Sequence, residues 1–188
     1  MDVKKAEVAL LKLKHDLDKR GVDFWLREGT LLAAVRDGKF FDWDKDIDLS
    51  MRVEDWPYDL ATDQWVVMPR AIFPGEYEEV GTVQLSVVQQ PAFNGQVHID
   101  IMMQTRCDSR ETYITLAPPH GGSMRTEMPI DWMDTPNYIE FLGEQFRIPL
   151  YPEMVLQSIY GAWRRPYKHD WSNRTYRPSW EMGWGEWK

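Results

Sequence analysis

The stretch EGTLLAAVRDGKFFDWDKDIDLSM, from Glu28 to Met51, carries four aspartates at alternate positions and ends in an apolar run. The segment DIDLSMRV, which begins in this stretch, has the apolar and polar alternation of a β-strand. In an extended chain, side chains two residues apart point to the same face and lie roughly 6.6 Å apart along the strand. We therefore predict that Asp46 and Asp48 share one face while Ile47 and Leu49 enter the core.

Two carboxylates on one strand face predict a metal site. Like charges held this close repel each other, whereas a divalent cation between them converts the repulsion into ligation. Ligands that are all oxygen atoms suit Mg²⁺ or Mn²⁺. Asp100 interrupts the apolar run VHIDIMM, and a lone aspartate in such a strand is costly unless it is paired or ligated. If the two strands are neighbours, the three aspartates form a two-metal phosphoryl-transfer arrangement.

An EF-hand is one alternative for the acidic stretch. Asp42, Asp44 and Asp46 have the spacing of the first three ligands in an EF-hand loop. The later positions do not match, because Ile47 stands where the loop needs glycine and Val53 stands where it needs a bidentate glutamate. The pattern therefore disfavours a calcium loop.

A solvated acidic turn is a second alternative. It accounts for Asp42 but leaves Asp46 and Asp48, which flank an apolar residue, without an explanation. His98 lies two residues before Asp100 and either faces the same site or is an ordinary hydrogen-bonded histidine. Both readings of His98 stay open at the level of sequence.

The Gly29-Thr30 pair begins a predicted short helix, GTLLAAVR, ahead of the aspartates. Backbone N–H groups at a helix start carry partial positive charge and can hold a phosphate, and glycine lets that phosphate approach the chain closely. Arg36 and Lys39 lie between this pair and the aspartates and are candidate phosphate contacts. The alternative for both is a surface charge beside the turn at Asp37-Gly38.

Composition limits the function classes. The chain has 188 residues, of which 43% are hydrophobic, so it can form one domain with a proper core. A net charge of −8 argues against a broad basic surface for nucleic acid and favours small or metal-bridged ligands. The charged N-terminal stretch has no signal-peptide or membrane-span pattern, so we expect no transmembrane segment and a cytoplasmic protein.

Other segments give a coarse secondary structure. An amphipathic helix is predicted to end near Gly21, with an apolar stripe of Val3, Ala6, Leu10, Leu13 and Leu17. VDFWLRE and TYITLAP read as strands, and GTVQLSVVQQ and QVHIDIMMQ read as a strand pair around PAFNG. The segment between Arg52 and Val80 is expected to be irregular, and the sheet to be mixed or antiparallel.

The C-terminal part is predicted to begin with a helix over PEMVLQSIYGAWRRP, bounded by prolines at both ends. A tail rich in tryptophan follows, from His169 to Lys188. Such rings either pack back onto the domain or stack on a sugar.

Two separated motifs carry a family resemblance. WLREGTLLAAVRDGKFFDWDKDID and FLGEQFRIPLYPEMVLQSIYGAWRRP occur in the order found in the LicD family of the nucleotidyltransferase superfamily. That family includes bacterial phosphocholine transferases and fukutin-related ribitol-phosphate transferases. The resemblance spans roughly Val22 to Pro166. The chain departs from the family pattern at Glu28, where a small or neutral residue is usual, and at Ala33-Ala34, where Gly-Ala is usual.

The resemblance implies an α+β fold of the nucleotidyltransferase, or DNA polymerase β-like, type. Its mixed central sheet would have helices packed on it, with a C-terminal helical and Trp-rich extension. We expect a single domain over residues 1–188, with the core at about 22–103 and an accessory part at about 104–188.

The resemblance also implies roles for individual residues. Asp46, Asp48 and Asp100 would bind Mg²⁺ or Mn²⁺, and Asp44 would assist from beside the metal or as a base. The expected substrate contacts are Gly29, Thr30, Arg36 and Lys39. Tyr160 and Trp163 would either contact substrate or only anchor their helix to the sheet.

The function implied by the resemblance is transfer of phosphocholine or a polyol phosphate from a CDP-linked alcohol. The acceptor would be a hydroxyl of a glycan or glycolipid, and CMP would be released. Two alternatives share the same residues. One is a nucleotidyltransferase that modifies a small molecule, RNA or protein, and the other is a non-catalytic glycan-binding module of the same fold.

Overall fold

The computed structural model describes residues 1–61, 64–72, 82–89, 97–107, 112–117 and 124–166. The first half of the chain forms α1 (Val3–Asp18), β1 (Phe24–Leu26), α2 (Glu28–Leu32), a π-helical turn (Ala33–Asp37), β2 (Asp46–Arg52), a 3₁₀ turn (Val53–Asp55), β3 (Trp65–Ile72) and β4 (Thr82–Gln89). The second half forms β5 (His98–Cys107), β6 (Thr112–Ala117), β7 (Met124–Pro129), α3 (Ile130–Asp134), β8 (Tyr138–Phe141), β9 (Glu144–Arg147) and α4 (Pro152–Tyr160).

The first helix, α1, confirms the prediction from the apolar stripe. It begins at an Asp2 cap, whose side chain accepts a hydrogen bond from the Lys5 backbone N–H at 3.2 Å. It ends before Gly21, which has a left-handed φ of +67°. Each fully buried leucine on its inner face contributes roughly 2 kcal/mol to folding. The buried residues of this face are Ala6, Ala9, Leu10, Leu13 and Leu17.

The sheet is mixed, as the sequence predicted. Within the described residues, seven strands join, with β1, β2, β5, β4 and β3 as neighbours in that order, β6 on β5, and β7 on β6. β2 and β5 run parallel, and the other pairs are antiparallel. The predicted strand pair is confirmed as β4 against β5. With helices added to this mixed sheet, the architecture agrees with the α+β class.

One face of the sheet forms the main core. Ile47 and Leu49 are fully buried, as the alternation in β2 predicted. They belong to one apolar cluster with the inner face of α1 and with Ile99 and Ile101 of β5. The carboxylates on the alternate positions of these strands therefore belong to the opposite face.

The opposite face is covered near β1 by α3. Trp25 is fully buried there and lies 5.2 Å from the Arg52 guanidinium carbon and 4.6 Å from that of Arg147, measured from a ring centroid. Arg147 also donates to the backbone carbonyls of Met133 and Asp134 at 3.1 and 3.0 Å. These contacts hold the end of α3 against the sheet.

Two segments differ from the sequence prediction in their extent. β3 (Trp65–Ile72) lies in the part expected to be irregular. Pro69 interrupts the strand pattern in the sequence, and the strand forms because it pairs with β4. The C-terminal helix was predicted too long, because α4 ends at Tyr160. Gly161 follows it with φ 60° and ψ −116°, a conformation that stops the helix.

The sequence did not predict the short hairpin that β8 and β9 form. Its two connecting residues, Leu142 and Gly143, have φ values of +55° and +81°. Positive φ at both central positions is typical of the tight turns that join two antiparallel strands. The local sequence gives a weak signal, because leucine is an unfavourable residue for this conformation.

Two predictions fall outside the described residues. These are the turn at 91–95 and the Trp-rich tail from His169 to Lys188. The division into a core at 22–103 and an accessory part at 104–188 stays a prediction, as does the cytoplasmic location. In the described part of the chain, no helix combines the length and apolar content needed to cross a membrane.

Candidate active site

The parallel pairing of β2 and β5 brings the predicted carboxylates together. Asp46 is the register partner of His98, and Asp48 is the register partner of Asp100. Register partners on adjacent strands point to the same face of the sheet. Asp46, Asp48 and Asp100 therefore lie on one face, and His98 lies on it beside Asp46. This confirms the neighbouring strands on which the metal prediction depended.

The start of α2 anchors Asp48. The Gly29 backbone N–H donates to Asp48 Oδ2 at 3.1 Å, and the Asp48 backbone N–H donates to Thr30 Oγ1 at 2.8 Å. Thr30 is 1% exposed, so its hydroxyl serves as an internal contact between α2 and β2. Contact of Gly29 and Thr30 with a donor phosphate stays a prediction.

Gly29 is also required for space. A Cβ atom at this position would lie 2.9 Å from Asp44 Oδ2 and 3.1 Å from Asp48 Oδ2. The other oxygen of Asp44, Oδ1, accepts from the Lys45 backbone N–H at 3.0 Å. Asp44 is thus held with one oxygen on the backbone of its own loop and the other beside the start of α2, which places it at the same centre as Asp48.

Glu28 is a member of this cluster that sequence reasoning did not identify. It appeared only as a departure from the family pattern, yet its side chain is nearly buried and acts electrostatically on both Asp48 and Asp46. Its φ is +41°, which is uncommon for a residue with a side chain and is often found at functional sites. The position directly before the Gly-Thr pair was the available signal.

A buried cation accompanies Glu28. Arg27 is 4% exposed, and its Nε lies 3.5 Å from Glu28 Oε1. Its backbone N–H donates to the carbonyl oxygen of Asp48 at 3.1 Å. This hydrogen bond extends the pairing of β1 with β2 by one residue beyond Leu26 and Leu49. We name Glu28, Asp44, Asp46, Asp48 and Asp100 the acidic cluster.

Burial and crowding change the acid–base behaviour of Asp46. Burial raises the pKa of Asp46 from 3.8 to about 6, and repulsion from Asp44, Asp100 and Glu28 adds to this effect. His98 acts in the opposite direction. The Asp46 carboxyl is therefore half-protonated near pH 6, well above the pH at which an ordinary aspartate takes up its proton.

The pKa values of Asp48 and Asp44 are raised as well. Burial raises the pKa of Asp48 well above its usual range, with further repulsion from Glu28 and Asp46. Burial also raises the pKa of Asp44, although the hydrogen bond from the Lys45 backbone partly offsets it. A cluster in which several carboxylates resist ionisation together is one that a bound cation would stabilise.

The donor set of the cluster fits Mg²⁺ or Mn²⁺ in chemistry, since all its candidate ligand atoms are carboxylate oxygens. As they stand, however, no three His, Cys, Asp or Glu side chains among the described residues form a group that could hold a metal ion. One Asp48 oxygen and one Asp44 oxygen instead accept backbone hydrogen bonds. Metal binding by Asp46, Asp48 and Asp100 stays a prediction.

In the metal-free protein, the free energy of unfolding should depend on pH through the ionisation of Asp46. Its native pKa of about 6 lies above the unfolded value of 3.8, so the native state binds more protons between these pH values. The penalty from Asp46 is absent below about pH 4 and complete above about pH 7. With allowance for solvent screening, Asp46→Asn should relieve about 1 kcal/mol at pH 7.5, or roughly 2–4 °C in melting temperature.

The comparison should be made in EDTA at pH 4.5 and pH 7.5. The melting temperature of Asp46→Asn minus that of the wild type should be larger at pH 7.5. Asp59→Asn, which changes an exposed carboxylate that lies 3.3 Å from Arg20 Nε, should show a small difference between the two pH values. A difference for Asp46→Asn that is equal at both pH values would contradict the raised pKa.

The two predicted basic contacts have different surroundings. The Arg36 guanidinium donates through Nε to Asp37 Oδ1 at 2.8 Å and through one terminal nitrogen to the Trp163 carbonyl at 3.3 Å, and its carbon lies 4.6 Å from the Phe41 ring centroid. Arg36 thus ties the π-helical turn to the segment after α4. Lys39 is exposed just beyond the turn at Gly38. Phosphate contacts for both stay predictions.

The two aromatic residues of the C-terminal motif lie in the main core. Tyr160 is 8% exposed and Trp163 is 5% exposed, and both belong to the same apolar cluster as α1 and β2. So little accessible ring surface supports the anchoring role over a substrate contact. Trp163 also presents the carbonyl that Arg36 contacts, so this motif braces the segment that leads into the acidic cluster.

Comparison with known proteins agrees with the geometry. The family described as LicD/FKTN/FKRP, nucleotidyltransferase domain, matches residues 21–150. The chain is 30% identical over 141 residues to the human protein named ribitol 5-phosphate transferase FKRP, and 29% identical over 141 residues to that of the mouse. Each alignment covers 72% of this chain and 24% of the relative, so the match spans about a quarter of the relatives' length. The chain therefore belongs to the LicD/FKTN/FKRP nucleotidyltransferase-domain family.

Proposed function

We propose that this chain transfers a substituted phosphate from a CDP-linked alcohol to a hydroxyl of a glycan or glycolipid. The observation that carries the proposal is the register pairing of Asp48 with Asp100, which puts carboxylates from two parallel strands beside the start of α2. Among the possible groups, ribitol phosphate comes first because the curated relatives are named for its transfer. Phosphocholine and other polyol phosphates are the next candidates.

We assign the fold, within the same proposal, to the nucleotidyltransferase or DNA polymerase β-like type. A Gly-Thr turn, a short helix, Asp-x-Asp on one strand and a third aspartate on its neighbour support this assignment. The described sheet has the mixed strand directions that the assignment requires. The family membership of residues 21–150 gives independent support.

In the proposed reaction the acceptor hydroxyl oxygen attacks the phosphorus next to the alcohol. A new phosphorus–oxygen bond forms to the acceptor, the bond to CMP breaks, and CMP leaves with its electron pair. Asp44 would accept the proton of the hydroxyl, and two observations support this role: its Oδ2 lies beside Gly29, and burial raises its pKa. Asp46, Asp48 and Asp100 would hold Mg²⁺ or Mn²⁺, which neutralises charge on the phosphate oxygens when bound.

The test uses purified protein with Mg²⁺ or Mn²⁺ and three donors: CDP-ribitol, CDP-choline and CDP-glycerol. Metal-dependent CMP release from at least one donor, stopped by EDTA, is the expected result. Nucleotide retained on an acceptor would instead indicate a nucleotidyltransferase. The absence of both reactions, together with no Mn²⁺ binding in the presence of nucleotide, would indicate a binding module that has kept the fold.

A further inference from the structure

The loop that leads into the acidic cluster exposes a large aromatic ring. Trp43 is 65% exposed. Its ring stacks on that of Phe41, with centroids 4.7 Å apart and planes inclined by only 5°. Phe41 is itself buried, and the Arg36 guanidinium carbon lies 4.6 Å from its ring centroid. One face of the indole therefore packs on the buried Phe41 ring.

The position of this ring relates it to the acidic cluster. Trp43 stands between Asp42, which is exposed, and Asp44, which belongs to the cluster. Asp44 Oδ2 borders the start of α2 beside Asp48 Oδ2, at the point where a Cβ of Gly29 would lie. Trp43 is therefore flanked in the chain by two aspartates, and one of them borders the candidate reaction centre.

We propose that Trp43 is the platform on which a sugar ring of the acceptor stacks, with one of its hydroxyls directed to Asp44. This proposal rests on the proposed function and names the acceptor subsite of the same reaction. A flat, supported aromatic ring offers contact to the apolar face of a sugar at little cost in side-chain entropy. The neighbouring carboxylates accept hydrogen bonds from sugar hydroxyls.

The charges around the ring favour a sugar over a nucleotide base. Without a bound cation, the phosphates of a nucleotide on Trp43 would be repelled by Asp42 and Asp44, which flank this residue in the chain. A neutral sugar meets no such repulsion and gains hydrogen bonds to the same groups. Base stacking on the ring is nevertheless a distinct outcome that an experiment can identify.

The experiment is saturation-transfer NMR on the full chain with Mg²⁺ and without donor. The probes are the methyl β-glycosides of galactose, glucose and N-acetylglucosamine, and CMP is measured separately. We expect transfer to the ring protons of at least one glycoside. In Trp43→Ala that signal should fall roughly tenfold, as for loss of a central aromatic contact, while Trp43→Phe should keep most of it.

Tyr58→Ala is the matched control, because Tyr58 is an aromatic residue that is 90% exposed elsewhere on the surface. This variant should bind the glycosides like the wild type. No glycoside signal with the wild type, an unchanged signal in Trp43→Ala, or a loss in Trp43→Ala of the CMP signal alone would each overturn the proposal. The last result would assign the ring to the base of the donor.

This test is separable from the test of the reaction. Glycoside binding that depends on Trp43 would support the platform even if no CDP-alcohol released CMP, in which case the transferase proposal alone would fail. With an active enzyme, Trp43→Ala should raise the acceptor KM roughly tenfold and change the donor KM less than about twofold. A rise in the donor KM with an unchanged acceptor KM would count against the sugar platform.

Discussion

Replacing Asp48 by asparagine is expected to reduce the transfer rate by at least roughly a thousandfold. The change removes a charge from the centre of the acidic cluster, where Asp48 lies beside Asp100 and at the start of α2. The fold should be retained, because an asparagine amide oxygen can still accept from the Gly29 N–H. Activity is measured as metal-dependent CMP release, and folding as the melting temperature.

The melting temperature of Asp48→Asn in EDTA should equal or exceed that of the wild type. Burial and repulsion from Glu28 and Asp46 raise the pKa of Asp48, so the charged form destabilises the native state at neutral pH. Asp59→Asn changes an exposed carboxylate and should leave both activity and stability close to wild type. Retained activity in Asp48→Asn would remove the basis for a reaction at this cluster.

Gly29→Ala is expected to lower the transfer rate by roughly a hundredfold while the protein stays folded. The added methyl group would lie 2.9 Å from Asp44 Oδ2 and 3.1 Å from Asp48 Oδ2, so both carboxylates must shift away from the centre. Gly29 lies inside α2 and does not have a positive φ, so alanine can adopt the same backbone conformation. The methyl group also fills the space through which a donor phosphate would approach the helix start.

Gly143→Ala is the control glycine variant, and it should lower stability without lowering activity. Nothing lies within 4 Å of its Cβ position, but its φ is +81°, a conformation that costs an alanine about 1 kcal/mol or more. This variant should melt at a lower temperature and keep its activity per folded molecule. If Gly29→Ala behaved in the same way, with lower stability and normal turnover, the role of Gly29 in the site would be wrong.

The strand-level features of the site could be predicted because they depend on short-range alternation. Asp46 and Asp48 flank Ile47 in an apolar strand, and this pattern alone predicts one acidic face and one buried face. Asp100 stood out because an aspartate within an apolar strand needs a partner. The structure confirms that the two strands are neighbours. The sequence did not specify that they run parallel and in direct register.

Glu28 and Thr30 show what a local pattern leaves undetermined. Thr30 was predicted as a phosphate contact, and the structure gives its hydroxyl a hydrogen bond with the Asp48 backbone 18 residues further along the chain. Glu28 joins the acidic cluster only because α2 begins beside β2 with a positive φ at this residue. The Thr30 contact has no signature in sequence spacing, and the sequence signal for Glu28 is its position directly before the Gly-Thr pair.

The amino-acid sequence by itself determined the family, the acidic strand face and the first helix, and it predicted a counterion for the aspartates. These follow from residue type and from periods of two and 3.6 residues, which act over one element. Only the tertiary structure decided that five carboxylates share one site and that Arg36 reaches the Trp163 carbonyl. It also decided that the exposed Trp43 ring stacks on the buried Phe41 ring. The physical reason is that burial, repulsion and hydrogen bonding depend on distance in space, which long-range strand pairing and helix docking set.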